Sequence, residues 1–491
     1  MSTDLGTVLA NFSTQPTNTS TMKKALFLCL TAFLFASISF AQQDSIKKYP
    51  LKDYIAPDIR YRVLNLGSQL AVSGLDKMET VYSSNGFSAN ADLHYYEYEN
   101  LTNYQGTTRA SLSTSYGARW SKSDTVKDTY SIPRISLRSL SQSRFYNQNT
   151  TFWGIHGDIR YSFSGLSSKD NEGILKTQLQ FFTITPYISF GKGRIEPIES
   201  VRKAMDILLA LQKYNRLGMK PDKTMIDSLA RVANGVSWKR FYDFRFKRIY
   251  QLEELDKAIQ NMGLVDTADI IYFANLNDIW SYTKTYRRGS GLRYEGGIIP
   301  SLSIINDEYD DSDQSQNNRK FNDKQYGIYG FFSLRRMKPT SYAWQSDIMI
   351  DLTFGYERSI GKEEETGNNN EWDDSYLKAL LNTGWQFGFY PNTRTYAGIT
   401  PYAAVSFVGD QETKENTFGA STGFWFDAYY YVSPRFRITF DAGFYYTENF
   451  DYTVPSLFWD NFNSYRIDKN HYLSNKGFGY RFNFRLSYAI L

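Results

Sequence analysis

Cysteine and histidine are scarce in this 491-residue chain: Cys29 is alone, and the histidines are His94, His156 and His471. One thiol excludes an internal disulfide framework, and the histidines form neither an HExxH pair nor a Cys/His cluster, so no zinc site is indicated. Charge of one sign is lacking too. The 55 Lys and Arg nearly balance the 51 Asp and Glu, leaving a formal net charge of +4. They form no basic stripe, so nothing points to nucleic acid as a partner. Long apolar runs are also missing, with one exception at residues 25–41, "ALFLCLTAFLFASISFA". It follows Met22-Lys23-Lys24 and ends in Ser39-Phe40-Ala41, a small-x-small site. A charged start, an apolar middle and a small-residue end predict a secretory signal peptide cleaved after Ala41. Met1 to Thr21 is polar and would bury that positive start, so translation is expected to begin at Met22. Cleavage would remove Cys29 and leave the mature chain without thiol chemistry. After residue 41 no apolar run is long enough for a transmembrane helix.

Aromatic residues are abundant instead, with 39 Tyr and 35 Phe making most of a 17 % aromatic content. Mean hydropathy is nevertheless −0.48. A chain both aromatic and hydrophilic suits strict alternation, one face apolar and the other polar. The segment "SYAWQSDIMIDLTFGYE" places Tyr342, Trp344, Ile348, Ile350, Leu352, Phe354 and Tyr356 on one face. Gln345, Asp347, Asp351 and Glu357 occupy the other. The segments "NTFGASTGFWFDAYYYV", "RFRITFDAGFYY" and "GFGYRFNFRLSYAIL" alternate in the same way. These strands read as about 10–16 residues, longer than the ~5–6 of soluble sheets and long enough to cross a bilayer at a tilt. The pattern predicts an all-β transmembrane antiparallel β-barrel.

Eight strands are expected after residue 290, centred near Ile298, Tyr329, Ile350, Leu381, Ala403, Phe424, Phe440 and Phe482. Before residue 192, strands centre near Ala91, Leu112, Leu140, Ile159 and Phe181, with a fainter one near Leu66. That makes about fourteen, within a range of about 12–16. Connections alternate in length. Short ones are "NQNTT", "RMKPTS", "YPNTR" and "VSPR". Asn306 to Lys324, Ser359 to Asp374 and Thr447 to Asn470 read as long polar loops. Bacterial barrels keep short turns on the periplasmic side and long loops outside.

Between these two strand sets the period changes. Ile198, Val201, Ala204, Leu208 and Leu211 fall three and four apart, with Pro197 suited to a first helical position. A second helix follows Pro221 and carries Met225, Leu229, Val232 and Val236. A third is expected from Trp238 to Met262, striped by Ile249, Leu252, Leu255, Ile259 and Met262 and stopped by Gly263. Asp266 or Thr267 would cap a fourth. Four amphipathic helices in about ninety residues can bury one small core. The expected division is therefore a leader at 1–41, a periplasmic N-terminal segment at 42–59 and barrel strands at 60–192. A helical insert at 193–289 and barrel strands at 290–491 complete it. An even number of strands after the insert returns the chain to the side where it left, so the insert is expected to replace a periplasmic turn.

"GKGRIE" and "RRGSG" form the neck of this insert. Gly191 and Gly193 permit a bend, and Arg194, Glu196, Arg287 and Arg288 are placed to pair across it. They match no GxGxxG phosphate-binding pattern, and no cofactor is indicated. Alternation directs Arg119, Asp158, Arg160, Asp347, Asp351, Arg437, Asp441, Arg481 and Arg485 into the lumen, along with His94 and His156. Such a lining would either conduct solutes or interlock as a plug of ion pairs. Trp238, Phe241, Tyr242, Phe244 and Phe246 exceed what one helical stripe needs. They would pack on the other helices or the barrel rim, or form a docking patch or a cap under the barrel. "NDEYDDSD" lacks the glycine and terminal Glu of a calcium loop and reads as a solvated external loop.

The export signal, the aromatic alternation, the "SPRF" turn and the closing strand resemble outer-membrane β-barrels of the kind common in Bacteroidota. The insert resembles no family of known activity. The resemblance implies outer-membrane lipid around the chain and insertion by the barrel assembly machinery through the last strand. That strand ends in Ile490-Leu491 where many end in an aromatic. Three functions fit the residues: a porin-like channel or transporter for small solutes with a helical cap, a docking protein binding a periplasmic partner through the insert, and a membrane hydrolase. No catalytic motif supports the third, so the protein is not expected to be an enzyme.

Overall fold

The computed structural model describes residues 45–77, 82–122, 127–147, 150–169, 173–239, 243–265, 268–282, 288–312, 318–365, 368–449 and 476–488. The expected signal peptide with Met22, Cys29 and Ala41 lies outside the described residues, as do Phe241, Tyr242, Arg287, His471 and Ile490-Leu491.

Fourteen strands form one antiparallel sheet in which each strand pairs with its neighbours in sequence. The first six are β1 (Ile59–Lys77), β2 (Tyr82–Leu101), β3 (Tyr104–Lys122), β4 (Lys127–Tyr146), β5 (Thr151–Lys169) and β6 (Ile174–Pro197). After the helices come β7 (Gly289–Asp311), β8 (Arg319–Pro339), β9 (Trp344–Glu365) and β10 (Asn368–Phe389). The sheet ends with β11 (Thr395–Asp410), β12 (Asn416–Tyr431), β13 (Phe436–Glu448) and β14 (Lys476–Tyr488). This is the up-and-down order of a meander barrel. Among the described residues no ladder joins β14 to β1. Every expected strand is present, including the faint one near Leu66.

Alternation sets two faces. On β8 the outward row runs Tyr326, Ile328, Gly330, Phe332 and Leu334, bounded by Lys324 and Arg336. That apolar stretch matches the roughly 9–11 residues a tilted strand needs to cross hydrocarbon. Outward aromatics and aliphatics are widely exposed, with Phe354 at 55 % and Phe484 at 66 %. In water each such side chain would forgo about 1.5–3 kcal/mol of burial, which one row repeated over many strands cannot sustain.

The strands β11 to β14 have the expected length, 13–16 residues, while β1 to β10 are longer, up to 24 residues in β6. At about 3.3 Å per residue, a 22-residue strand tilted by about 40° rises well over an apolar band about 25 Å tall. Part of the extra length lies where two of the long loops were expected; most of the third, Thr447 to Asn470, lies outside the described residues. Ser359–Glu365 pairs with Asn368–Asp374, and Asn306–Tyr309 pairs with Arg319–Asn322. Polarity there marks the exit from an apolar surround. It does not end the strand, because a ladder continues in water with polar side chains on both faces.

The strand β6 also runs past residue 192. Gly193 to Pro197 pairs with Arg293 to Gly289, so Pro197 closes a strand and does not open a helix. Four helices follow: α1 (Glu199–Lys213), α2 (Lys223–Trp238), α3 (Phe244–Asn261) and α4 (Ile270–Ser281). None is long and apolar enough to cross a membrane among the described residues. Trp238 ends α2 and does not begin α3, because Asp243 caps α3 through the Arg245 N–H. The fourth cap is Asp269, which accepts from the Tyr272 N–H; Asp266 and Thr267 lie outside the described residues. Gly263 stops α3 at φ +65°, as expected.

The helices bury Val201, Ala204, Leu208 and Leu211 of α1 against Leu229 and Ala233 of α2, Leu255 and Ile259 of α3, and Tyr272 and Leu276 of α4. Ile249, expected in that stripe, is exposed, as is Phe246. The segment before β1 belongs to this core as well. Ile46, Tyr49, Leu51 and Tyr54 are buried in it, and Tyr49 hydroxyl donates to Asp227. The helical domain is therefore built from two stretches of chain.

Candidate functional site

The helical domain leaves the sheet at the end that carries the connections 102–103, 147–150, 340–343, 390–394 and 432–435, while the two longest strand-to-strand connections, 312–318 and 449–475, lie at the opposite end. Its neck is a two-stranded ribbon of β6 and β7. Gly193 and Gly291 lie in it at φ +94° and +137°. A Cβ on Gly193 would meet Leu292 O at 2.0 Å, and one on Gly291 would meet Arg194 O at 2.0 Å. Only glycine permits so close a crossing. Gly191 is similarly confined, its Cβ position 2.4 Å from Tyr294 O. The coiled ribbon brings Arg194 to the β2–β3 turn, where it donates to Leu101 O at 2.7 Å and Thr102 O at 2.9 Å. Arg194 also pairs with Glu196, and Asn100 Nδ2 donates to Glu196 at 3.4 Å. Arg194 thus pairs with Glu196 on its own strand, while Arg288 goes elsewhere.

Arg288 donates to the carbonyls of Ser341, Tyr342 and Trp344 at 2.7–3.1 Å. Arg202 of α1 binds the same Tyr342 carbonyl and donates to Tyr390 O at 3.0 Å. Its charge is held by Asp206, 3.1 Å away, which also accepts from the Tyr342 hydroxyl. Two guanidinium groups thus clasp the β8–β9 turn, with one carboxylate between helix and turn. Burial, reinforced by the Arg202 charge, pulls the Arg288 guanidinium down to about 10. Further contacts ring the same end. Arg394 in the β10–β11 turn binds Asp278 of α4 at 2.7 and 2.9 Å. Tyr282 meets Tyr431 at the end of β12 with ring centroids 6.0 Å apart. On the far side Trp238 packs on Tyr61 of β1 at 4.7 Å, and Asn234 donates to Asp58 O at 3.2 Å. The domain is fastened from β1 round to β12, across the short-turn mouth.

Behind the mouth, one side of the inner face packs on itself. Tyr187, Ile299, Tyr329, Phe331, Met349 and Leu380, from β6 to β10, form a buried cluster. Arg144 of β4 grips Glu295 of β7 with two bonds of 2.7 and 2.9 Å, both groups buried. Lys378 and Glu357 pair at 2.6 Å, and Tyr329 hydroxyl donates to Glu357. Buried pairs of this kind fix geometry more than they add stability.

All nine residues expected to line the lumen lie on the inward register. Asp158 takes both Arg160 and Arg138. Asp347 accepts from Gln345 at 2.6 Å, and Asp351 is buried four residues further along β9. Arg119 donates to Ser84 at 2.9 Å. Arg437 stands opposite Ser487, Asp441 opposite Asn483, Arg485 opposite Thr439 and Arg481 opposite Gly443. The Arg144–Glu295 and Lys378–Glu357 pairs were not foreseen. Alternation before Arg144, in "SLSQSRFY", is blurred because the outward positions 139, 141 and 143 are serines. His156 stacks on Tyr187 at 4.3 Å and contacts Ser189 at 2.9 Å, but its Nδ1 meets no acceptor, so the dyad lacks an acid. His94 is exposed on β2. Among the described residues no group of three or more His, Cys, Asp or Glu is placed to hold a metal ion.

No protein-family model matches the chain, and no curated protein matches it. Solved structures overlap it loosely. The translocator domain of autotransporter NalP from Neisseria meningitidis is 9 % identical, with 84 % of this chain and 98 % of that one covered at a TM-score of 0.25. The ferric yersiniabactin uptake receptor FyuA from Yersinia pestis is 5 % identical, covering 80 % and 62 % at 0.34. The beta domain of the Bordetella autotransporter BrkA is 9 % identical, covering 78 % and 99 % at 0.24. Overlaps this loose leave the fold to rest on the chain's own ladders.

Proposed function

We propose that this chain is a bacterial outer-membrane β-barrel carrying a path for small solutes, closed at its periplasmic mouth by the helical domain. The apolar outward rows support the membrane setting, and the placement of the two longest strand-to-strand connections, 312–318 and 449–475, at the end opposite the helices supports the periplasmic assignment. Delivery by a cleaved signal peptide and insertion by the barrel assembly machinery complete the reading, which assigns no catalysis.

One observation carries the cap: the helical domain is bonded to the rim at β1, β8–β9, β10–β11 and β12. A domain serving only as a tether would need one neck and no ring of contacts. The purified chain in planar bilayers is expected to conduct rarely. Replacing Arg202→Ala together with Asp206→Asn loosens the clasp and is expected to raise the open fraction severalfold. If both proteins are silent while the barrel is folded, as judged by heat-modifiable migration on gels, the channel reading fails.

A further inference from the structure

The inner face carries its charges unevenly around the sheet. On β7 to β12 the inward carboxylates deep in the sheet are Glu295, Asp323, Asp347, Asp351, Glu357 and Asp427, all buried. Several are bonded within the wall: Glu295 to Arg144, Asp323 to Ser359, Asp347 to Gln345 and Glu357 to Lys378. Further inward acids sit nearer the far rim of that wall, where Arg319 meets Asp307 and Glu363. A solute in the lumen therefore meets few open carboxylates deep in this half.

The other half comprises β2 to β5 together with β13 and β14. Register places Arg109, Arg119, Arg134, Arg138 and Arg160 inward on β3 to β5. Arg437, Arg481 and Arg485 face inward on β13 and β14. Their inward acidic neighbours are Asp92, Asp128, Asp158 and Asp441. Arg138 and Arg160 share Asp158, so that triad keeps one positive charge. Arg134 and Arg485 are exposed, and Arg437, Arg481 and Arg160 are partly so. The described inward cations of β2 to β5, β13 and β14 are all arginine. A guanidinium fork matches the geometry of carboxylate and phosphate oxygens and keeps its charge at any physiological pH. A wall with an excess of one sign at low dielectric selects by charge.

Building on the channel reading, we infer that the solute is an oxyanion, a small carboxylate or phosphate compound, which passes along the arginine wall of β3 to β5 and β13 to β14. The test uses the full-length chain carrying Arg202→Ala and Asp206→Asn, with current recorded across a potassium chloride gradient. Chloride is expected to permeate at least about threefold better than potassium. Inorganic phosphate or succinate at millimolar levels should reduce the chloride current by occupying the wall. Arg134→Gln with Arg485→Gln should lower the chloride preference and relieve the block. Lys320→Gln, on the outward face, should change neither. Folding of each variant is checked by heat-modifiable migration. Current without anion preference, or with no block by either oxyanion, overturns this inference and leaves the channel standing. Silence in every variant overturns both.

Discussion

The half-buried carboxylate Glu199 shows how a single residue can tie the domain to pH. It opens α1 beneath Tyr98, and burial lifts its carboxyl to about 7 although nearby Lys203 opposes the rise. Burial also pulls Lys203 down. In the unfolded chain Glu199 ionises near its ordinary value, so the folded domain holds its proton longer. The resulting stability is full below about pH 4.5 and is lost as pH rises through about 7. Glu199→Gln should therefore stabilise the helical domain at pH 8 by on the order of 1 kcal/mol and change nothing at pH 4. Thermal melting of the helical circular dichroism signal at the two pH values checks this. Equal shifts at both would contradict it. Gly193 is the second decisive residue. Gly193→Ala places a methyl 2.0 Å from Leu292 O at a φ of +94°. It should cost about 1–3 kcal/mol and loosen the neck, seen as faster hydrogen exchange in α1. Unchanged exchange would show that the ribbon has another way to bend.

Among the elements, strands were more legible than their limits. Period-two alternation located all fourteen, because a wall with one apolar face must alternate wherever it is surrounded by hydrocarbon. Above that level the constraint lapses. The glutamates 363–365 and asparagines 368–370 pair in β9 and β10 without any alternating signal. The helices were legible where they bury a stripe, as in Val201, Ala204, Leu208 and Leu211. The start of α3 was not, because its Asp243 cap follows an aromatic-rich stretch with no apolar period. At the neck, the glycines were readable as a bend, but the partners of Arg288 were not. Its carbonyls belong to a turn more than fifty positions away, and backbone acceptors leave no trace in side-chain pattern. Ile46, Tyr49 and Leu51 likewise join the helical core from outside it, a contact local periodicity does not encode.

For the whole molecule, the account turns on one arrangement. A fourteen-stranded wall has a packed, acid-bearing side and an open, arginine-bearing side, and a helical domain lies across its short-turn mouth. On the proposed reading, motion of that domain is the gate, and the clasps at Tyr342, Tyr390 and Arg394 set how often it opens. The most direct measurement immobilises the domain reversibly. Cysteines replace Asp278 of α4 and Arg394 of the β10–β11 turn, whose charged tips lie 2.7 Å apart, and a short bifunctional methanethiosulfonate bridges them in a chain reconstituted in a planar bilayer. The account predicts that bridging extinguishes the current and that a reducing agent restores it. Current that persists unchanged with the bridge in place would contradict it, for the solute path would then not run through the mouth this domain covers.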